Sequence, residues 1–365
     1  MESFLRLLQV ALEEHASDIH LKAGAAPVLR VARELWPVDM PPLTEDQMRE
    51  MAQALLPAHF RESFEQQHEA DFSYTAEGIG RFRVNVFQQR GRLCIAMRYV
   101  KTAIPDFDEL GLPADTLRKV ALATGGIVVV AGPAGSGKST TLAAIIEHIN
   151  QTSRKHVVTL EDPIEYLFED CQSRIEQREI GLDTASFQTA LRHIIRQDPD
   201  VIMIGEMRDA ASFMAGLNAA DTGHLVLTTL HANSATQAVD RILDYFPSHE
   251  RDQIRRQLGD ALNGIFCQRL VAARAGGVLP AVEILRASGT VRKLFETGQL
   301  EKLSAAIENG GDDGMQTFNQ SLYKLVKSGL ITEQEALAKS ANAPQLTMNL
   351  RGIFLDESRR ILASD

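Results

Sequence analysis

Eight residues, Gly132-Pro-Ala-Gly-Ser-Gly-Lys138-Ser139, constrain this chain more than any other stretch of it. They match the pattern G-x-x-x-x-G-K-[ST]. The apolar run 127–131 precedes them, and the helix-like segment Ser139-Thr-Thr-Leu-Ala-Ala-Ile-Ile follows. A strand, a glycine loop and a helix in that order belong to an α/β fold built on a parallel sheet. The glycines let the backbone curl so that successive N–H groups converge on a phosphate, and the helix N-terminus adds a favourable dipole. Gly132, Gly135, Ser136, Gly137, Lys138, Ser139 and Thr140 are therefore the candidate nucleotide-binding residues, with Lys138 reaching the β- and γ-phosphates of ATP and Ser139 ligating Mg²⁺.

The rest of the chain extends this frame. Short apolar runs at 127–131, 157–160, Val201–Ile204 and Leu225–Leu230 are separated by longer periodic stretches, which predicts a parallel sheet covered by helices. A phosphate site on such a sheet lies outside the carboxyl ends of its strands, so acidic residues just after an apolar run are the ones to consider. Glu206 follows Val201-Ile-Met-Ile-Gly205 and is the candidate for orienting the attacking water. Glu161-Asp-Pro-Ile-Glu165 follows 157–160 and reads either as a Mg²⁺- or water-positioning group, with Glu165 as its ligand, or as a plain acidic turn. His224 and His231 flank Leu225–Leu230 and would stand on opposite faces of an extended strand, which argues against a shared metal.

Upstream, Phe4, Leu7, Leu8, Ala11 and Leu12 fall at helical spacing, and Ser17-Asp-Ile-His-Leu21 then switches to strand-like alternation. Between Gly80 and Phe87, Phe82, Val84 and Val86 share one face, while Arg81 and Arg83 share the other. The segment 100–113, broken by Pro105, Gly111 and Pro113, reads as an interdomain connection, with the boundary near 101–111. After about residue 250 the chain reads as mostly helical. Phe318, Leu322, Leu325 and Val326 form one stripe there, and Thr332 with Glu335 forms a capping box.

Composition narrows the function. With 365 residues two domains are expected, and 48 Asp and Glu against 38 Lys and Arg, a net charge of −10, disfavour nonspecific nucleic-acid binding. Cys94, Cys171 and Cys267 lie far apart, without a CxxC pair, so they outline neither a zinc site nor a disulfide framework. No apolar run approaches bilayer length and the N-terminus lacks a signal-peptide layout, so a cytoplasmic protein is expected.

Taken together these residues resemble the secretion ATPase superfamily, and within it the PilT/PilU group of type IV pilus retraction ATPases. Ser17-Asp-Ile-His-Leu21 with Arg30, and Gly80-Arg-Phe-Arg-Val-Asn85, resemble the group's N-terminal motifs. Glu161–Glu165 resembles its Asp box, 198–209 its atypical Walker B and 222–231 its His box. Gly314-Met-Gln-Thr-Phe318 completes the match. Thr290-Val-Arg-Lys-Leu-Phe295 resembles the retraction motif A-I-R-N-L-I-R-E but departs from it at Glu296 and Thr297.

The resemblance implies a PAS-like N-terminal α/β domain over 1–100, a linker over 101–111, and a RecA-like P-loop ATPase domain with C-terminal helices over 112–365. It implies a homohexameric motor for pilus retraction and twitching motility, acting as the main motor or as an accessory to a paralogous retraction ATPase. The ring would sit at the cytoplasmic face of the inner membrane against a pilus platform protein. Arg83 and Arg98 are the positions matching the arginines that close over the phosphates. Glu206, Glu165, His224 and His231 are the further catalytic candidates, with His224 and His231 relaying γ-phosphate state; Ser139, Glu165 and Glu206 are the candidates for Mg²⁺. The competing readings are a pilus-assembly or type II secretion ATPase, a RecA-like nucleic-acid translocase and a non-hydrolysing ATP-binding regulator. The absence of a four-cysteine zinc motif weighs against the first, the acidic balance against the second, and the intact Lys138, Ser139 and Glu206 against the third.

Overall fold

The computed structural model describes residues 2–32, 34–100 and 102–353. The chain divides into two units, Met1–Ala103 with Pro163–Leu167, and Ile104–Asp162 with Phe168–Asp365. The last residues, 354–365, lie outside the described ones.

In the first unit helix α1 (Glu2–Glu13) leads into strands β1 (Asp18–Lys22), β2 (Val28–Val31) and β3 (Glu34–Pro37). Helices α2 (Glu45–Leu55) and α3 (Arg61–Gln67) follow, then β4 (Glu69–Ala76), β5 (Gly80–Gln89) and β6 (Arg92–Tyr99). The six strands form one sheet, β3-β2-β1-β6-β5-β4, and every pairing is antiparallel. Alternation sorts its faces: Ile19, Leu21, Phe72, Phe82, Val84, Val86, Ile95 and Met97 are buried in one core with Phe4, Leu7 and Leu8 of α1 and Met48 and Met51 of α2. Helices on one face of an antiparallel sheet give the PAS-like α/β arrangement. Thr44 starts α2 with a full capping box, its hydroxyl accepting from the Gln47 N–H while the Gln47 side chain accepts from its own N–H.

In the second unit α4 (Ala114–Ala121) is followed by β7 (Gly126–Ala131), α5 (Lys138–Thr152), β8 (His156–Glu161), β9 (Arg174–Glu179), α6 (Phe187–Ile194), β10 (Val201–Ile204), α7 (Ala210–Asp221), β11 (Leu225–Leu230), α8 (Ala235–Asp244) and α9 (Arg251–Ala261). A hairpin, β12 (Leu262–Ala272) and β13 (Val278–Arg286), then precedes α10 (Gly289–Thr297), α11 (Leu303–Asn309), α12 (Phe318–Lys327), α13 (Glu333–Lys339) and α14 (Ala343–Leu350). The sheet order is β13-β12-β7-β11-β10-β8-β9, parallel except for β13 at the edge. All six residues of β11 and all four of β10 are buried, as expected of strands covered on both faces.

The hairpin corrects the mostly helical reading after residue 250. Leu262, Ile265, Phe266, Cys267, Leu270 and Val271 mimic helical spacing because both faces of β12 bury apolar side chains, which erases the alternation that reveals a strand. Strand β9, Arg-Ile-Glu-Gln-Arg-Glu, was invisible for the opposite reason: it is a polar edge strand. At 332–335 only half of the expected capping box forms. Thr332 accepts from the Glu335 N–H, but the Glu335 carboxylate accepts from the Ala272 N–H at 2.9 Å instead of reaching back.

Candidate active site

The glycine loop leaves β7 at the carboxyl edge of the sheet, where the Gly132 N–H still bonds the Leu230 carbonyl of β11 at 3.2 Å. A side chain at 132 has no room: its Cβ would lie 2.4 Å from Ser136 Oγ and 2.6 Å from the Gln268 carbonyl. Gly135 and Gly137 take left-handed φ values of 73° and 90°, and Gly137 stands at the N-cap of α5 without a side-chain cap. The first N–H groups of α5 follow directly on this loop, at the positively polarised end of the helix. Lys138 Nζ folds back over this loop, 3.1 Å from the carbonyls of both Gly132 and Pro133. The Ser136 hydroxyl is buried and has no hydrogen-bond partner among the described residues. A glycine cradle, a buried hydroxyl wanting a partner, an ammonium and a helix N-terminus together fit the phosphates of a nucleotide.

Gln268 is a site residue that the sequence reading missed. It lies on β12 one residue past Cys267, the partner of Ala131, and its amide donates to Thr141 Oγ1 of α5 at 2.7 Å. It braces the loop from behind, through its carbonyl at Gly132 and its side chain at α5. The available signal was the polar pair Gln268-Arg269 inside an apolar run.

Two strands from β7, about 10 Å across the sheet, β10 delivers Glu206. Its carboxylate is 2.8 Å from Arg208 Nη2 and 3.6 Å from Nε2 of His231, the residue that follows β11. The backbone beneath it is pinned by Thr229 Oγ1, which donates to the Gly205 carbonyl at 2.5 Å, and by the Gly205 N–H, which donates to Leu160 O of β8 at 2.8 Å. Next along the same edge Glu161 ends β8, accepting from Thr159 Oγ1 at 2.6 Å and Gln177 Nε2 at 3.1 Å. Glu161 is thus the carboxylate that β8 itself carries to the phosphate edge, whereas the sequence reading selected Glu165, an exposed residue in the segment assigned to the first unit.

The structure also separates the two histidines. Strand β11 runs parallel to β7, with Leu225 opposite Gly126 and Leu230 opposite Ala131, so His224 and His231 stand at opposite edges, roughly 20 Å apart along the strand. His224 caps the end of α7 there, its Nδ1 2.9 Å from the Ala219 carbonyl and 3.1 Å from Thr222 Oγ1. The two histidines that the resemblance assigns to γ-phosphate relay thus differ in placement: His231 stands beside Glu206, and His224 stands at the opposite edge. At the same amino edge Asp200 takes the His156 N–H at 2.8 Å and Lys155 Nζ at 3.2 Å, tying β10 to β8. Burial pushes the Asp200 carboxyl up, but those bonds outweigh it and hold the group below its ordinary value.

In the first unit Arg83 and Arg98 face each other across β5 and β6 on the polar side of the sheet. Arg98 Nε donates to Asp18 Oδ1 at 2.8 Å, Arg30 Nε lies 3.8 Å from the other carboxylate oxygen, and Arg83 Nη2 is 4.0 Å from Asp71. Burial pushes Asp18 up, but hydrogen bonds from Ser17 and Arg98 prevail and hold it below its ordinary value. Asp18 of the Ser17–Leu21 motif is thus an arginine holder.

A parallel sheet that presents a glycine cradle, an ammonium and a braced carboxylate at its carboxyl edge defines a P-loop ATPase. Residues 2–295 match the family described as type II/IV secretion system protein. The chain belongs to that family, and within it to the PilT/PilU group. It is 39% identical over 349 residues to the type IV pilus ATPase PilU of Pseudomonas aeruginosa, covering 95% of this chain and 91% of that one. It is 38% identical over 334 residues to the type IV pilus retraction ATPase PilT of the same organism, covering 92% and 97%. The crystal structure of the pilus retraction motor PilT with bound ADP superposes with a TM-score of 0.88 at 43% identity, covering 94% of this chain and 98% of that one.

Proposed function

We propose that this chain is an ATP-hydrolysing motor of the type IV pilus machinery that drives retraction and twitching motility, working as a hexamer at the cytoplasmic face of the inner membrane. The observation that carries the reading is the carboxyl edge of the sheet, where the glycine cradle, His231 and Glu206 follow three successive strands, β7, β11 and β10. Likeness to PilU and PilT over nine-tenths of the chain supports the pilus assignment, and the net charge of −10 supports a protein partner over a nucleic acid. That partner is an inner-membrane platform protein, with a paralogous retraction ATPase as a second.

In this reading the loop N–H groups and Lys138 bind the phosphates of ATP, Lys138 exchanging two carbonyls for a phosphate. The Ser139 hydroxyl and Glu206 are the residues that would hold Mg²⁺, which would supply charge neutralisation at the phosphates. Glu206 orients the attacking water and takes its proton, and His231 beside it senses the γ-phosphate. Arg83 and Arg98 are the cations an N-terminal unit contributes to the same charge. Glu165 is retained only as an outer residue of the acidic segment.

The test is phosphate release by purified wild type beside Glu206→Gln, with solution mass measured with and without ATP. A hexamer whose turnover falls at least about a hundredfold in the variant is the expected result; unchanged turnover sinks the assignment. Turnover that appears only when the paralogous ATPase is added marks the accessory role, and turnover raised steeply by DNA at low salt points to a translocase instead.

A further inference from the structure

The loop that carries His231 is tied down by side chains from α8 and from the β12–β13 hairpin. From β11 the chain runs His231-Ala-Asn-Ser-Ala235 into α8, and Arg241, Arg269 and Glu283 bond its backbone. Arg241 of α8 donates to the His231 carbonyl at 2.8 Å, Arg269 of β12 donates through Nη2 to the Asn233 carbonyl at 2.9 Å, and Glu283 of β13 accepts from the Ala235 N–H at 2.7 Å. Arg269 and Glu283 share one face of the hairpin, since Cys267 pairs with Glu283 and Arg269 with Ala281.

The same two side chains reach the C-terminal helices. The second Nη of Arg269 donates to the Lys339 carbonyl at the end of α13 at 3.2 Å, and its guanidinium lies over the Phe318 ring, 4.2 Å from the centroid. The Phe318 N–H, at the start of α12, bonds toward Glu283. Two helices therefore begin at one carboxylate, a placement their N-terminal dipoles favour. One follows His231, and the other follows Gly314-Met-Gln, where Gln316 bridges to Ile284 of β13.

We propose that Arg269 and Glu283 are positioning residues for ATP hydrolysis, holding the 231–235 loop, and with it His231 beside Glu206, in register with α12 and α13. The proposal rests on the reading of Glu206 and His231 as parts of the hydrolytic site. Its logic is that both side chains bond to the backbone of that loop on one side and to the C-terminal helices on the other. A shift of α12 relative to the sheet therefore moves the loop.

The experiment measures kcat and KM for ATP on the full-length protein carrying Glu283→Ala, Glu283→Gln, Arg269→Met or Arg269→Lys, each alone and combined with His231→Ala. Glu283→Ala and Arg269→Met are expected to lower kcat about tenfold with KM within about twofold. Glu283→Gln recovers most of the loss, because its amide oxygen still accepts from Ala235. With His231→Ala already present, the same changes lower kcat by less than about twofold, since they act through that residue. Equal losses in both backgrounds, or an unchanged kcat in Glu283→Ala, overturn the proposal. Should Glu283→Ala fail to assemble, Arg269→Lys decides. It cannot span Asn233 and Lys339 together, and a loss of about threefold that vanishes with His231→Ala supports the proposal, whereas no loss overturns it. Turnover surviving Glu206→Gln removes the underlying reading instead, and is told apart because these variants do not alter Glu206.

Discussion

The two edges of the seven-stranded sheet carry equally recognisable motif residues and use them differently. At the carboxyl edge Lys138 lies over two carbonyls of its own loop, Glu206 lies between Arg208 and His231, and Ser136 holds a buried hydroxyl without a partner among the described residues. At the amino edge two comparable groups are spent on the fold: His224 caps α7, and Asp200 staples β10 to β8. In a parallel sheet all strands point the same way, so loops that can move and helix N-termini that attract anions gather on one side only. A motif residue becomes chemistry or scaffold according to which edge it reaches.

That contrast can be broken by substitution. The largest effect belongs to Lys138→Ala, expected to lower ATP turnover by about a thousandfold while leaving the melting temperature within a few degrees; a melting temperature that collapses would make the lysine scaffold as well. The paired histidines come next. His231→Ala should lower kcat about tenfold, whereas His224→Ala should lower it less than twofold and cost about 1 kcal/mol of stability through the lost α7 cap, read by thermal melting. Equal kcat losses in the two would erase the distinction between the edges.

Asp200→Ala should cost about 1 kcal/mol, a figure discounted because its side chain is 43% exposed, with KM for ATP unchanged. The folded Asp200 carboxyl lies below its ordinary value, so its contribution is present at neutral pH and is lost as pH falls through the acid range toward the folded value. Wild type and variant melting curves should therefore converge in acid. The smallest effect is Asp18→Asn in the first unit. The same sign applies, and the loss should be under about 1 kcal/mol at neutral pH because Arg98 is largely exposed. ATP turnover in this variant tests whether freeing Arg98 and Arg30 matters to the site.

Much of this architecture was legible without coordinates. The loop at 132–139, the strand ahead of it, and Glu206 after β10 all came from local pattern, because a glycine cradle and a fully buried strand are encoded within a dozen residues. Alternation in 80–87 likewise announced β5 and the shared face of Arg81 and Arg83. Less legible were β12 and β13, since two buried faces leave no period, and β9, since a polar edge strand leaves no apolar signal. Glu161 and Glu165 share one acidic segment, and only the position at which β8 stops separates them.

The sequence by itself determined the nucleotide loop, the strand-and-helix succession and the family, because those are written in contiguous residues whose chemistry does not depend on distant partners. Only the tertiary structure decided that His231 and not His224 meets Glu206, that Gln268 braces the loop from a strand more than a hundred residues away, and that Arg269 and Glu283 bind the His231 loop to the C-terminal helices. The physical reason is that strand order and direction set which residues share an edge, and they emerge from packing many separate segments at once rather than from any one of them.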